Sequence, residues 1–346
     1  MRSPLTYGSR RSWGLSLLVL LALPLWPNAA RLLAADRVSA VEAVGEHLIL
    51  VVGAGGEEVY AQEFERWSQA WKDLAARQQW RLTLISEKTQ TSPATSALSS
   101  LQQAVAAHVG RSERLWIVLL GHGTFSRNVA KFNLPGPDVS TEELRRWLQP
   151  LQSPVVLINC SASSAPFLPA LSGEQRIVLT ATRSGNESNF SHFGKYLSLA
   201  LHDLSADIDH DREVSLLEAF LAASAQTERF YGEDARLTTE HALLDDNGDR
   251  VGTPADFYQG IRPGKEAASG KALDGSRAAR LILHSAENTP NFSPALSARR
   301  EQIEVKIDAL RKEKPRLAAE AYFSQLEQLL LELAAVYDAA ESATSP

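Results

Sequence analysis

Two stretches decide the fold: Arg114–Phe125, RLWIVLLGHGTF, and Ser153–Ser164, SPVVLINCSASS. Each opens with an apolar run of strand length without polar alternation, the pattern of a strand covered on both faces inside a parallel sheet. Each then breaks into small and polar residues, with His122 just past one strand and Cys160 at the end of the other. Open α/β sheets carry their sites at the carboxyl ends of strands. A cysteine and a histidine presented there are the two parts of a thiol nucleophile and its base. Cys160 is also the only cysteine in the chain. The competing reading is a small buried hydrophobe, the usual place of a free cysteine.

The neighbouring sequence extends the same pattern. His47–Val52 (HLILVV) reads as a first strand, followed by the turn Gly53–Gly56 and a helix with Phe64, Trp67 and Trp71 on one face. The turn is not a dinucleotide fingerprint, because the third glycine position holds Glu58, whose charge would repel a pyrophosphate. Arg81–Ile85 is a second strand, and Ala94–Val109 a helix with Leu98, Leu101 and Val105 inward and Gly110 at its stop. Ser140 with Glu143 forms a capping box that starts a helix through Leu148. Arg176–Thr182 is a further strand, followed by a helix over Phe193–Leu201. Strands alternating with helices predict a mostly parallel sheet covered on both faces, with His122, Cys160 and Arg183 on one rim.

The ends of the chain differ from this middle. Arg2, Arg10 and Arg11 precede the apolar stretch Trp13–Trp26, and small residues follow up to Ala35. That order predicts a signal peptide over residues 1–35, and so an exported protein, periplasmic or extracellular, with no stable membrane insertion after cleavage; the alternative is an uncleaved membrane anchor. The apolar run is shorter than the ~20 residues of a spanning helix. Past residue 285, Leu296, Ile303, Ile307 and Leu310 recur at helical spacing, and after Pro315 so do Tyr322, Leu326, Leu329, Leu333 and Val336. This predicts an antiparallel helical hairpin over 286–346, behind a main domain over 36–285. The net charge of −6 and the absence of a Lys/Arg cluster exclude a nucleic-acid footprint.

A buried strand ending in His122-Gly123, then 38 residues after the histidine a buried strand ending in Cys160, resembles the caspase and legumain clan of cysteine peptidases. INCSASSAPF and TATRSGNESNF are similar to the Cys strand and the next strand and loop of legumain-like bacterial members, and the resemblance covers roughly residues 45–260. It implies an α/β, caspase-like fold with a mostly parallel sheet and helices on both faces, beside the C-terminal helical pair. It also implies a cysteine endopeptidase acting on a protein or peptide substrate through a thioester acyl-enzyme, with no cofactor needed for catalysis. By position, His122 would be the general base and acid, Cys160 the nucleophile, and the backbone N–H groups of Gly123 and Cys160 the oxyanion donors. Arg183 lies where caspases place a pocket arginine, which implies an acidic P1 residue; a solvated loop charge is the alternative reading. The loop Gly53–Gln62 has neither the Asn nor the Arg that legumain uses there, so asparagine preference and a third catalytic residue lose their support. Two alternatives stay open: a non-catalytic caspase-like protein that binds peptides or partners, and a transpeptidase using the same dyad.

One further motif stands apart. Asp207, Asp209, Asp211 and Glu218 occupy positions 1, 3, 5 and 12 of a calcium-loop layout, which would hold a structural ion. Against it stands Arg212 at position 6, where such loops use glycine. A second acidic turn, Asp245–Asp249, suits a hairpin or weak metal binding. The plainer reading of both is a solvated turn and helix cap.

Overall fold

The computed structural model describes residues 45–89, 96–233, 235–265, 273–286 and 292–344. The predicted signal peptide and residues 94–95 of the predicted second helix lie outside them. From β1 (Glu46–Val52) the chain runs through α1 (Glu58–Arg77), β2 (Arg81–Ile85) and α2 (Ala97–Ala106) to β3 (Arg114–Leu120). A small ribbon follows, β4 (Gly123–Ser126), β5 (Val129–Phe132) and β6 (Val139–Ser140), then α3 (Thr141–Leu148), whose Ser140–Glu143 capping box is formed in both directions. Next come β7 (Val155–Asn159), α4 (Phe167–Leu171), β8 (Arg176–Thr180), α5 (Phe193–Ala200), β9 (Glu213–Ser215) and α6 (Leu216–Glu233).

After α6, β10 (Leu243–Asp245) and β11 (Thr253–Pro254) form a hairpin, followed by β12 (Tyr258–Gln259), β13 (Arg262–Pro263) and β14 (Ile282–Ser285). Seven strands make the central sheet, in the order β11-β10-β8-β7-β3-β1-β2. The five from β8 to β2 are parallel, and β10 and β11 add an antiparallel edge. The chain is thus an α/β protein with a mostly parallel sheet, as the alternation of strand and helix predicts.

Alternation along the strands builds two cores, because successive side chains leave opposite faces. Leu48, Leu50, Trp116, Val118, Val156 and Ile158 meet α1, α5 and α6 on one face through Trp71, Phe193 and Phe220. Ile49, Val51, Ile117, Leu119, Val155 and Leu157 meet α2, α3 and α4 on the other through Leu101, Leu144 and Phe167. Both faces are covered, so the strands read as unbroken apolar runs.

The helices α7 (Pro294–Glu313) and α8 (Ala319–Thr344) pair around Ile303, Ile307 and Val336. The contacts Arg299–Glu332 and Phe292–Tyr337 set them antiparallel, as the spacing predicts. The pair is bolted to the main domain by a buried ion pair, Arg300 Nη1 to Glu213 Oε2 at 2.8 Å, with a second link from Arg280 to Asp308 at 3.0 Å. None of the described helices is long and apolar enough to cross a membrane.

A buried ion pair costs most when only one partner is removed. Arg300→Ala is expected to destabilise the protein by about 3 kcal/mol, because Glu213 stays buried without its cation. Urea denaturation of the full chain measures it, and Arg299→Ala, on the exposed side of the same helix, serves as the near-neutral control.

Candidate active site

The order of the strands places a topological switch beside β1: β2 lies on one side of it and β3 on the other. Ligands of open α/β sheets bind in the crevice at such a switch. The loops leaving β1 and β3 meet there, and His122 stands in the second of them. Its Nε2 lies 3.1 Å from the carbonyl oxygen of Gly55, at the end of the first. Since a carbonyl only accepts, Nε2 carries the proton and the basic lone pair sits on Nδ1. Aromatic rings fix the imidazole from the sides, with Tyr60 and Phe64 edge-on at 5.1 Å and Phe190 at 5.8 Å. The orienting group whose side chain the sequence lacks is therefore a backbone carbonyl, which no residue pattern reveals.

Cys160 leaves β7, the strand paired directly with β3 in the register Leu119–Asn159. Its side chain joins the cluster that also holds Phe64 and Leu120, so cysteine and histidine emerge on the same face of the sheet. The approach of the two strand ends depends on glycine at two points. A Cβ on Gly123 would lie 2.6 Å from Ser161 Oγ and collide with the Ala162 carbonyl. On Gly194, at the start of α5, it would lie 2.8 Å from the Cβ of Cys160 and 3.0 Å from the Trp67 ring. The helix packs its backbone directly onto Cys160.

That packing closes the site. Cys160 is 0% exposed. Burial pushes its thiol far above the ordinary cysteine range, and the nearby Glu240 carboxylate pushes it further the same way. Among the described residues no hydrogen bond joins the thiol to His122. The backbone N–H of Cys160 donates to Leu119 O at 3.0 Å as the last rung of the β3–β7 ladder. The N–H that the resemblance assigns to an oxyanion is thus taken up by the sheet in this closed arrangement. Gly123 stands against the Ser161 side chain and the Ala162 carbonyl.

Glu240 is the polar group that sequence reading overlooked. It is buried, and its two oxygens accept from Ser191 Oγ (2.6 Å), His192 N (2.8 Å), Phe193 N (3.0 Å) and Tyr231 Oη (3.1 Å). A carboxylate distant in sequence thus satisfies the first turn of α5, where a helix leaves N–H groups without partners. It anchors the segment that covers Cys160. Its signal in the sequence is a lone acid in a polar loop, indistinguishable from a solvated one.

Arg183 stands just past β8, on the rim with the other two. Its side chain is 60% exposed, with Nε 3.4 Å from Glu187, whose carboxylate also accepts from the Arg183 N–H and from His241 Nδ1 at 2.7 Å. Arg183 and His241 border a pocket of about 440 Å³, lined also by Phe193, Thr227, Glu240 and Phe257. The segment from β8 to α5 is tied to the Cys160 loop by Ser163 N–H to Glu187 O at 2.8 Å, and it carries Phe190 over His122.

The acidic loops lie elsewhere. Oxygens of Asp207, Asp209 and Asp211 converge within 4.8 Å of one another. Glu218 does not join them. Its carboxylate faces backbone, accepting from Ile208 N (2.9 Å) and Ser215 N (2.9 Å), and it forms a capping box with Ser215 at the start of α6. The expected twelfth ligand is therefore a helix cap, which is the plainer reading of the motif. Arg212 takes the left-handed conformation of a position-6 glycine, φ 73°, as does Arg250 at φ 71° in the loop from Asp245. In both loops the first aspartate accepts from that arginine's N–H, at 2.9 and 3.0 Å. The two loops are one design used twice, a repeat hidden in the sequence by the different residues around it.

No protein-family model matches the chain, and no curated protein matches it. Among solved structures it is similar to the Drosophila initiator caspase Dronc, at 14% identity and a TM-score of 0.37, over 60% of this chain and 81% of that one. It is similar to caspase-1 from Spodoptera frugiperda at 11% identity and a TM-score of 0.34, over 59% and 86%. Raptor from Chaetomium thermophilum gives 10% identity and a TM-score of 0.28, over 46% of this chain and 17% of that one. Likeness of that degree decides nothing by itself.

The closed thiol has two measurable consequences. Iodoacetamide is expected to label Cys160 in the native chain at least ~100-fold more slowly than in the urea-unfolded chain at the same pH. The folded thiol also keeps its proton above the ordinary value of 9.0, at which the unfolded one loses it. Its contribution to stability is therefore complete below that pH and falls as pH rises past it. Denaturation curves of wild type and Cys160→Ala from pH 7 to 10.5 should diverge only above about 9, with the steeper loss in wild type.

Proposed function

We propose that this chain is an exported cysteine endopeptidase with a caspase-like domain, held here in a closed state. One observation carries the reading. His122 and Cys160 leave adjacent parallel strands on the same face of the sheet, at the carboxyl rim, with the imidazole oriented by the Gly55 carbonyl. Export rests on the order of arginines, apolar run and small residues over 1–35.

The chemistry follows from the roles. In the open state the Cys160 sulfur, having given its proton to the imidazole, attacks the scissile carbonyl carbon. The backbone at Gly123 stabilises the oxyanion. His122 then protonates the departing amine, leaving a thioester, and a water deprotonated by the same imidazole releases the acid. To reach this state the segment 181–192 and the start of α5 must move together, because they hold Phe190 over the histidine, Glu187 on the loop after the cysteine, and Gly194 against the cysteine itself. Desolvation of the thiol is relieved by the same movement, so access and activation are one event.

Arg183 is the specificity residue of this reading. A substrate carboxylate at P1 would replace Glu187 as its partner, which suits an exposed guanidinium already held by a single acid. The second reading, a non-catalytic peptide- or partner-binding protein, is favoured by the burial of the thiol and by the engaged Cys160 N–H.

Labelling with a peptidyl acyloxymethyl ketone separates the two. Wild-type protein is expected to label, Cys160→Ala not at all, and His122→Ala about 100-fold more slowly. Peptide cleavage that persists in Cys160→Ala would exclude the enzyme reading, and a wild type that stays unlabelled after limited proteolysis would favour the binding protein. For specificity, Arg183→Ala should lower kcat/KM on peptides with P1 Asp or Glu by about tenfold or more. A wild-type cleavage profile dominated by Lys or Arg at P1 would remove Arg183 from that role.

A further inference from the structure

At the opposite end of the sheet from Cys160, the amino ends of β1 and β3 enclose a cluster with no part in the thiol chemistry. His47 is the second residue of β1, His108 follows α2, and Glu113 precedes β3. Both histidines are buried, at 2% and 1% exposure. One nitrogen of each imidazole and one oxygen of Glu113 lie within 4.8 Å of one another.

The hydrogen bonds show which nitrogens are free. His108 Nε2 lies 2.8 Å from the Glu113 carbonyl oxygen, so it carries the proton and Nδ1 holds the lone pair. That Nδ1 is buried and without a hydrogen-bond partner, an arrangement that costs ~1–3 kcal/mol when nothing offsets it. His47 repeats the pattern. Its Nε2 meets Thr83 Oγ1 at 2.9 Å, and its Nδ1 accepts from Arg81 Nη2 at 2.9 Å. The same Nη2 donates to the Glu113 carboxylate. A cation therefore already stands between His47 and Glu113, brought by a side chain that is 41% exposed.

We propose that His47 Nδ1, His108 Nδ1 and the Glu113 carboxylate form a zinc site, with Arg81 as its displaceable internal cation. Two imidazoles, one carboxylate and an open position for water suit Zn²⁺. Each imidazole already has its other nitrogen anchored on an oxygen acceptor, the outer support that zinc-bound histidines use. Tetrahedral bonds of about 2.0–2.1 Å require the ligands to close in by roughly 1–1.5 Å as the guanidinium swings outward. The ion would then clamp β1, the α2–β3 turn and the start of β3, which lie about 20 Å from the thiol along the strands. The site is a brace for the sheet, independent of the peptidase reading.

Calorimetry with ZnCl₂ on the Cys160→Ala full chain tests this without the thiol as a competing ligand. One Zn²⁺ per chain is expected. In the same background Arg81→Met removes the competitor and should tighten binding at least tenfold, whereas Glu113→Gln should weaken it at least tenfold. Both changes fall on part-exposed side chains, 41% and 31%, and circular dichroism checks that each variant is folded. No zinc binding by Cys160→Ala, no tightening in Arg81→Met, or unchanged affinity in Glu113→Gln would overturn the site. The last result would place the ion elsewhere, such as at Asp207–Asp211.

Discussion

The rest of the site depends on the pairing of β3 with β7. Five registered residues, Leu115–Leu119 against Val155–Asn159, hold the two strands in parallel inside a sheet covered on both faces. A slip of one residue would turn every side chain to the wrong core. The same register sends His122 and Cys160 out on one face, and it takes up the Cys160 N–H as a last rung. Continuity of the ladder and availability of an oxyanion donor are thus in direct conflict at one atom. The structure resolves the conflict in favour of the ladder.

The cover over the thiol follows from where the apolar surface lies. Gly194 lets α5 sit against the cysteine, and Glu240 satisfies the helix's first turn from a distant loop. Phe190, Tyr60 and Phe64 then pack around the imidazole. A thiol in such a place is protonated and unreactive. The catalytic reading therefore carries a structural demand with it: the segment between β8 and α5, together with the start of α5, must move before chemistry begins. Glu187 is well placed to govern that movement, since it holds Arg183, His241 and, through its carbonyl, the loop after Cys160.

Opposite rims of one sheet serve different ends. The carboxyl rim has loops, a switch point and the Cys–His pair. The amino rim is tight, with two buried imidazoles, an arginine and a glutamate bracing β1, β2 and β3. Farther off, Arg300 and Glu213 fasten the helical pair to the domain that carries both.

Local rules made the parallel sheet, its five central strands, the Ser140 capping box and the helical pair readable from residue order alone. Apolar runs, helical spacing and cap residues act between near neighbours, so their record lies within short stretches of chain. His122 and Cys160 were readable for the same reason, each ending a run that could only be a buried strand. The Gly55 carbonyl, the loss of the Cys160 N–H to Leu119, Glu240 beneath α5 and the pairing of Arg183 with Glu187 were not. Backbone groups have no residue identity, and whether a lone acid caps a helix or faces water depends on what folds against it. The sequence by itself determined which strands exist and which side chains stand at their ends. Only the tertiary structure decided which polar atoms remain free, because hydrogen bonds between distant segments are chosen by packing, after the local pattern has had its say.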